Sequence, residues 1–295
     1  MRVTFDMLTP TTLQEALAML GKDGEKITPV AGGTNLIVDC QSGRHEPKVV
    51  MNVHALPELC SIEELDGMIQ IGGGVTLRQL EQSSLIKSKA NALYRSSVLF
   101  ANPLIRNRAT VGGNLCDASP ASDTATPLLA LGAEVQLTNQ KTSRWVPLHE
   151  FFVHVRKTVR KPDELLTAVR WPVPPVRSAN TFYKLGLRKA DAISVVSLAV
   201  SVVLNPDDTI AEARIALGSV APTPLRAFEA ESFLEGKKLT EDVIDEAGKK
   251  AALACSPISD VRASADYRRQ MVAVLVKRLL REAIKQISGP LSGGK

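Results

Sequence analysis

The chain is 295 residues long, about two domains at roughly 150 residues each, and 44% of it is hydrophobic and 23% charged. That balance is globular rather than disordered, and such a length buries a full core without disulfides or metals. A net charge of +5 is mild, and aromatics at 4% argue against a base-stacking platform for single-stranded nucleic acid.

Thr12-Leu13-Gln14-Glu15 is a capping-box sequence, in which a hydroxyl takes one orphan amide and a carboxylate reaches back for another. The helix it opens, LQEALAML, is expected to stop at Gly21. A strand at residues 28–30 then runs straight into Ala31-Gly32-Gly33-Thr34-Asn35, and residues 49–53 form a second strand. A third strand, 68–72, leads through Gly72-Gly73-Gly74 to another capping box, Thr76-Leu77-Arg78-Gln79. The next glycine turn lies in RNRATVGGNLC, residues 106–116. After it comes DASPASDTATPLLALG, polar and proline-bearing first, then helical and closed by Gly132; EVQLT at 134–138 alternates as a half-buried strand. Strand, glycine turn and helix in alternation predict small α/β layers.

The proline-dense WPVPPV at 171–176 places a domain boundary near residue 176. Beyond it, strands at 193–204 and 210–217 flank the turn signal Asn205-Pro206-Asp207-Asp208, and helices follow near 240–255 and 266–287, an α+β pattern. In the last helix Tyr267, Met271, Val274, Leu275, Leu279 and Ile284 recur at helical spacing as the buried stripe. Arg268, Arg269, Arg278, Arg281 and Lys285 read as its solvated face. The longest apolar run, 192–204, carries three serines and is short of the ~20 residues that a membrane span needs. MRVTFDMLTP has no charged-then-apolar leader, and Cys40, Cys60, Cys116 and Cys255 are scattered without CxxC, so a cytoplasmic location is expected.

Two glycine pairs carry the chemistry, Gly32-Gly33 and Gly112-Gly113. Glycine permits positive φ and close backbone approach, so several amides can converge on one anion, as a diphosphate requires. Thr34 and Asn35 beside one pair, and Thr110 and Asn114 beside the other, add side-chain donors. A single pair is equally a tight turn; two with matching polar flanks favour a phosphate compound. Neither fits GxGxxG or GxxxxGK[ST], which excludes Rossmann and P-loop readings. Asp123 suits either a helix-start carboxylate or an acceptor for a ribose or ribityl hydroxyl, and spacing does not choose. His45, His54, His149 and His154 form no HExxH and no ligand set with cysteine, and no GxSxG is present. No metal ligands and no catalytic acid, base or nucleophile are assigned; Cys116, without a base nearby, reads as packing.

VAGGTNLI near the start, paired with ATVGGNLCDASPASD at mid-chain, resembles the FAD-binding medium subunit of molybdenum hydroxylases, the xanthine dehydrogenase and carbon monoxide dehydrogenase type. The resemblance continues through Phe182-Tyr183-Lys184, RIALGSVAPTPLRAFEAE and SADYRRQM, and so covers nearly the whole chain. It implies an α+β fold: a PCMH-type FAD-binding domain over residues 1–176, built of two α/β subdomains (about 1–55 and 56–176). A C-terminal domain, 177–288, has a small antiparallel sheet and helices, and 289–295 is a flexible tail. By motif, Val30, Ala31, Gly32, Gly33, Thr34, Asn35 and Leu36 would form the first pyrophosphate loop, and Thr110, Val111, Gly112, Gly113 and Asn114 the second. Phe100 stands where the family's xanthine dehydrogenases line the FAD site; Asp123, Leu166 and Lys184 look like further FAD contacts.

The resemblance implies non-covalent FAD here, with molybdopterin in a large partner subunit and [2Fe-2S] clusters in a small one, commonly as a dimer of heterotrimers. Electrons would pass from the clusters to FAD and on to NAD, a quinone or oxygen, with substrate oxidation in the large subunit. The cysteine-rich insertion of benzoyl-CoA-type reductases is absent, so no cluster is expected in this chain. Two other readings compete: a stand-alone FAD-dependent oxidoreductase, and a nucleotide- or nucleic-acid-binding module using the basic C-terminal helix.

Overall fold

The computed structural model describes residues 4–54 and 56–288; the tail expected at 289–295 lies outside them. The chain begins with β1 (Asp6–Leu8), α1 (Leu13–Asp23), β2 (Ile27–Val30), α2 (Leu36–Gln41) and β3 (Val49–Asn52), which form a parallel sheet of order β1-β3-β2. Thr12 Oγ1 caps α1 by accepting the Glu15 amide at 3.1 Å, but the Glu15 carboxylate returns to the Thr11 amide at 2.7 Å rather than to Thr12. The helix also runs through Gly21 to Asp23. A mid-helix glycine costs only about 1 kcal/mol against alanine, and Leu17 and Leu20, buried against the sheet, hold that turn.

The second layer comprises β4 (Ile62–Leu65), β5 (Met68–Gly72), α3 (Leu77–Gln82), α4 (Ser84–Lys89), α5 (Asn91–Val98), α6 (Pro103–Arg106), α7 (Val111–Cys116) and α8 (Ala125–Ala130). It continues with β6 (Glu134–Thr138), β7 (Ser143–Pro147), α9 (Leu148–Phe151), β8 (Phe152–His154), β9 (Lys157–Thr158) and β10 (Leu165–Pro172). Five of these strands make an antiparallel sheet, β4-β5-β10-β6-β7. Here the capping box at Thr76 is complete in both directions, and Gly132 follows α8 at φ +70°. Ile69, Ile71, Val135, Leu137, Val169 and Trp171 project from the sheet into a core shared with the helices.

The C-terminal part holds β11 (Ser178–Gly186), β12 (Ser194–Leu204), β13 (Ile210–Gly218), β14 (Leu225–Arg226), α10 (Phe228–Leu234), α11 (Glu241–Leu253) and α12 (Ala265–Ser288). Its antiparallel sheet runs β11-β12-β13-β14 and is covered on both faces. Phe182, Ala199 and Ala216 join the core of the preceding layer, while Leu198, Val200, Ile215 and Leu217 pack with Leu275, Val276 and Leu279 of α12. Burial on both faces explains the long apolar run, and two of its three serines are paired: Ser197 Oγ lies 3.2 Å from Thr126 Oγ1 and Ser194 Oγ 2.7 Å from Ser219 Oγ. Among the described residues no helix is long and apolar enough to cross a membrane.

The last helix departs from its expected face. Tyr267 and Val274 are exposed, whereas Val272, Val276, Leu280 and Ala283 are buried. Arg268 is buried too, donating to Val195 O at 2.7 Å, Ser219 O at 3.0 Å and Asp260 at 2.7 Å. Those acceptors engage both Nη groups and leave only Nε without a partner, which is what allows a charge into the interior.

Candidate functional site

β2 ends at Val30 and the chain turns through Gly32 and Gly33 into α2. Gly33 sits at φ +71°, where a side chain is strained, so this turn requires a glycine. A Cβ on Gly32 would collide with the Arg108 carbonyl, which means the first loop lies directly on the backbone leading to the second. The consequence is a row of donors. Among the described residues, the amides of Gly32, Gly33, Thr34 and Asn35 have no acceptor.

The second loop is built differently. Its amides are already engaged: Val111 N with Val75 O at 2.9 Å, Gly112 N with Gly73 O at 2.8 Å, Gly113 N with Thr110 Oγ1 at 3.1 Å, and Asn114 N with Thr110 O at 2.9 Å. Gly112 is required by packing, since a Cβ there would lie 2.6 Å from Gly73 O. Gly113 has a helical backbone, and a Cβ there would meet only Thr110 Oγ1 at 2.8 Å; its bare Cα otherwise faces open space.

Between the loops lies a cavity of about 540 Å³, within the range of small-molecule and cofactor sites. Val30, Ala31, Gly32, Gly33, Thr34, Asn35, Leu36, Phe100, Thr110, Gly112, Gly113, Asn114 and Leu166 all line it. Val111 does not: its side chain is fully buried in the core. Asp123 and Lys184 are also outside the lining, paired with each other at 2.5 Å and almost wholly buried. Lys184 Nζ lies 3.5 Å from Leu99 O, beside Phe100.

Asn114 ties the second loop to that pair. Its Oδ1 accepts from Ser122 Oγ at 2.6 Å and Thr124 Oγ1 at 2.5 Å, on either side of Asp123. Ser122 Oγ, not Asp123, accepts the first amide of α8 at 3.3 Å. Asp123 Oδ1 is inaccessible and has no hydrogen-bond partner. Burial pushes the Asp123 carboxyl up, against the pull of Lys184.

Several lining residues carried no signal in the sequence. Asp39, Arg44, Asp117, Arg156 and Arg160 also line the cavity. Asp39 pairs with Arg44 at 2.7 Å and Arg156 at 3.4 Å, and Arg156 also pairs with Asp117. Arg160 donates to the carbonyls of Lys161 at 3.0 Å and Glu164 at 2.7 Å. Burial raises the Asp117 carboxyl from its ordinary value despite Arg156, and it holds the Cys116 thiol up as well, in its unreactive form. The donor row and the Thr110 and Asn114 side chains suit an elongated anionic ligand.

Comparison with known proteins bears on which ligand. Residues 3–174 match the family described as FAD binding domain in molybdopterin dehydrogenase, and residues 181–283 the CO dehydrogenase flavoprotein C-terminal domain. The carbon monoxide dehydrogenase medium chain of Afipia carboxidovorans is 32% identical over 280 residues, 95% of this chain and 96% of that one. The xanthine dehydrogenase FAD-binding subunit of Escherichia coli O157:H7 is 29% identical over 282 residues, 95% and 96%. Among solved structures, carbon monoxide dehydrogenase from Hydrogenophaga pseudoflava superposes with a TM-score of 0.92 at 30% identity, covering 97% of this chain and 99% of that one. Quinoline 2-oxidoreductase from Pseudomonas putida gives 0.89 at 25% identity, with 97% and 99% covered.

Proposed function

The chain belongs to the family of FAD-binding subunits of molybdenum hydroxylases, and from that premise we propose how it holds its flavin and passes electrons. It is an oxidoreductase subunit whose cofactor is FAD. The observation that carries the proposal is the row of unengaged amides from Gly32 to Asn35, facing a cavity whose far wall is the bare Cα of Gly113. A diphosphate needs convergent donors and tolerates no side-chain bulk. The first loop therefore binds it through backbone amides, and the second admits it and adds Thr110 and Asn114. Val111 contributes by anchoring α7 in the core.

The remaining contacts follow from the same geometry. At the Phe100 end, Asp123 keeps one buried oxygen without a partner and Lys184 keeps a cation beside it. Both stand behind the cavity lining, so this buried pair fixes the charge beside the Phe100 end, where the flavin ring lies. Leu166 lines the opposite wall with Leu165 and Leu59, an apolar shelf for the other end of the dinucleotide. Bound FAD supplies reversible two-electron carriage between one-electron donors and an external acceptor. The protein holds that group in reach of its donor and keeps water from it.

Residues 1–176 form the FAD-binding domain, with subdomains meeting near residue 55, and residues 177–288 the C-terminal domain. The electrons come from iron–sulfur clusters of a small subunit, fed by a large molybdopterin subunit, in a dimer of heterotrimers. NAD, a quinone or oxygen takes them. The cytoplasm, where thiols such as the four unpaired cysteines persist, is the compartment. FAD is non-covalent: of the histidine and cysteine that line the cavity, His45 is engaged with Thr28 and burial holds the Cys116 thiol in its unreactive form. The test is native purification from the source organism. Copurifying molybdopterin and iron–sulfur subunits, with flavin released by acid, are expected; a chain isolated alone and fully active on an organic substrate contradicts the relay, and flavin precipitating with the chain contradicts non-covalent binding.

A further inference from the structure

Arg156 occupies the tight turn between β8 and β9 at φ +61°, a region that non-glycine residues rarely adopt. Its amide donates to Ala118 O at 3.0 Å, at the end of α7. Its guanidinium contacts Asp117, the residue after α7, and lies 3.4 Å from Asp39 of α2. Each of these helices starts from one glycine loop. One arginine thus joins the far ends of both loop–helix units.

The electrostatics make the junction consequential. Asp39 and Asp117 have only 17% and 11% of their side chains exposed, and like charges held close and out of water oppose one another. Arg44 at 2.7 Å offsets Asp39 alone. Asp117 has no cation but Arg156 within ion-pair distance among the described residues, and its second oxygen is buried and unpartnered. Removing the guanidinium leaves a carboxylate pair that pushes α2 from α7, and with them the donor row from Gly113.

We infer that Arg156 is a positioning residue: its ion pairs with Asp39 and Asp117, rather than a charge offered to the phosphates, set the separation of the two loops. This rests on the seating of the diphosphate between those loops. The β8–β9 turn thereby becomes part of the FAD site although neither glycine motif includes it.

The experiment is titration of the deflavinated full-length protein with FAD, followed by flavin fluorescence, beside a melting curve. Arg156→Met should raise the FAD Kd by about tenfold or more while the chain remains folded. Adding Asp117→Asn should recover most of that loss, because it removes one of the opposed charges. Should the methionine variant fail to fold, Arg156→Gln, of similar length and uncharged, is expected to show the same loss and the same rescue. An unchanged Kd in the folded single variant overturns the inference. So does a double variant as weak as the single one, the outcome for an arginine that binds phosphate directly. Gly113→Val titrated in parallel separates the two levels: if it binds FAD normally the loop seating fails, whereas if it alone loses FAD only the role of Arg156 fails.

Discussion

Gly32-Gly33 precedes the six-residue α2 and Gly112-Gly113 lies in the first turn of the six-residue α7, and the amides around the two pairs meet different fates. Those of the first loop have no acceptor among the described residues, while those of the second are bonded to Val75, Gly73 and Thr110. The difference lies in what stands behind each loop. The second is packed against residues 73–75, where the Gly73 and Val75 carbonyls take two of its donors; the first lies on Arg108 and Ala109 and turns its donors toward the cavity. A glycine motif marks where backbone approaches closely, but not whether it approaches ligand or protein.

The comparison can be broken at the side chains the second loop organises, starting with the largest effect on stability. Lys184→Met leaves the Asp123 carboxylate buried without a cation, a loss of about 3 kcal/mol at neutral pH. The sign of its pH dependence follows from burial. A carboxyl raised in the folded state binds its proton more tightly than in the unfolded chain, so the variant keeps its stability below the ordinary value of 3.8. It loses stability as pH rises through the higher folded value. Melting temperatures across pH 3–7 should show the gap from wild type widening upward; a gap that narrows contradicts the assignment.

Gly32→Ala comes next. Its methyl would overlap the Arg108 carbonyl, and overpacking of this kind costs about 1–3 kcal/mol. The two loops part, so a lower melting temperature is expected together with flavin loss. Asn114→Ala removes the acceptor shared by Ser122 and Thr124, a cost of about 1–2 kcal/mol. It frees the segment holding Asp123, so flavin content should fall by less than for Gly32→Ala; unaltered melting and flavin would show that Asn114 organises nothing.

What was legible in the sequence was local. Residues three apart built the Thr76 capping box, and Gly132 ended its helix. The alternation in EVQLT became β6 with the expected bounds. The fold class was legible because strand, glycine turn and helix are short-range patterns and the family motifs recur along the whole chain. The Arg156 bridge was not, because it joins residues 39 and 117 positions apart, across three elements. Arg268 was misplaced for the same reason: helical spacing shows a face, but the carbonyls of Val195 and Ser219 that admit a charge lie far away in sequence. The engaged amides of the second loop depend on carbonyls of the 72–75 segment, which no local pattern pairs with residues 111–113.

The most direct measurement is flavin per folded chain in Gly113→Val. The residue has a helical φ, so valine meets no left-handed strain, and its Cβ touches only the capping hydroxyl of Thr110. Losing that cap costs about 1 kcal/mol, which leaves the fold intact. The β-branched side chain then occupies the space opposite the first loop's donors. A near-wild-type melting curve with flavin absorbance reduced at least tenfold per folded chain is the expected result. Full flavin occupancy in the folded variant would contradict the claim that the diphosphate lies between the two loops.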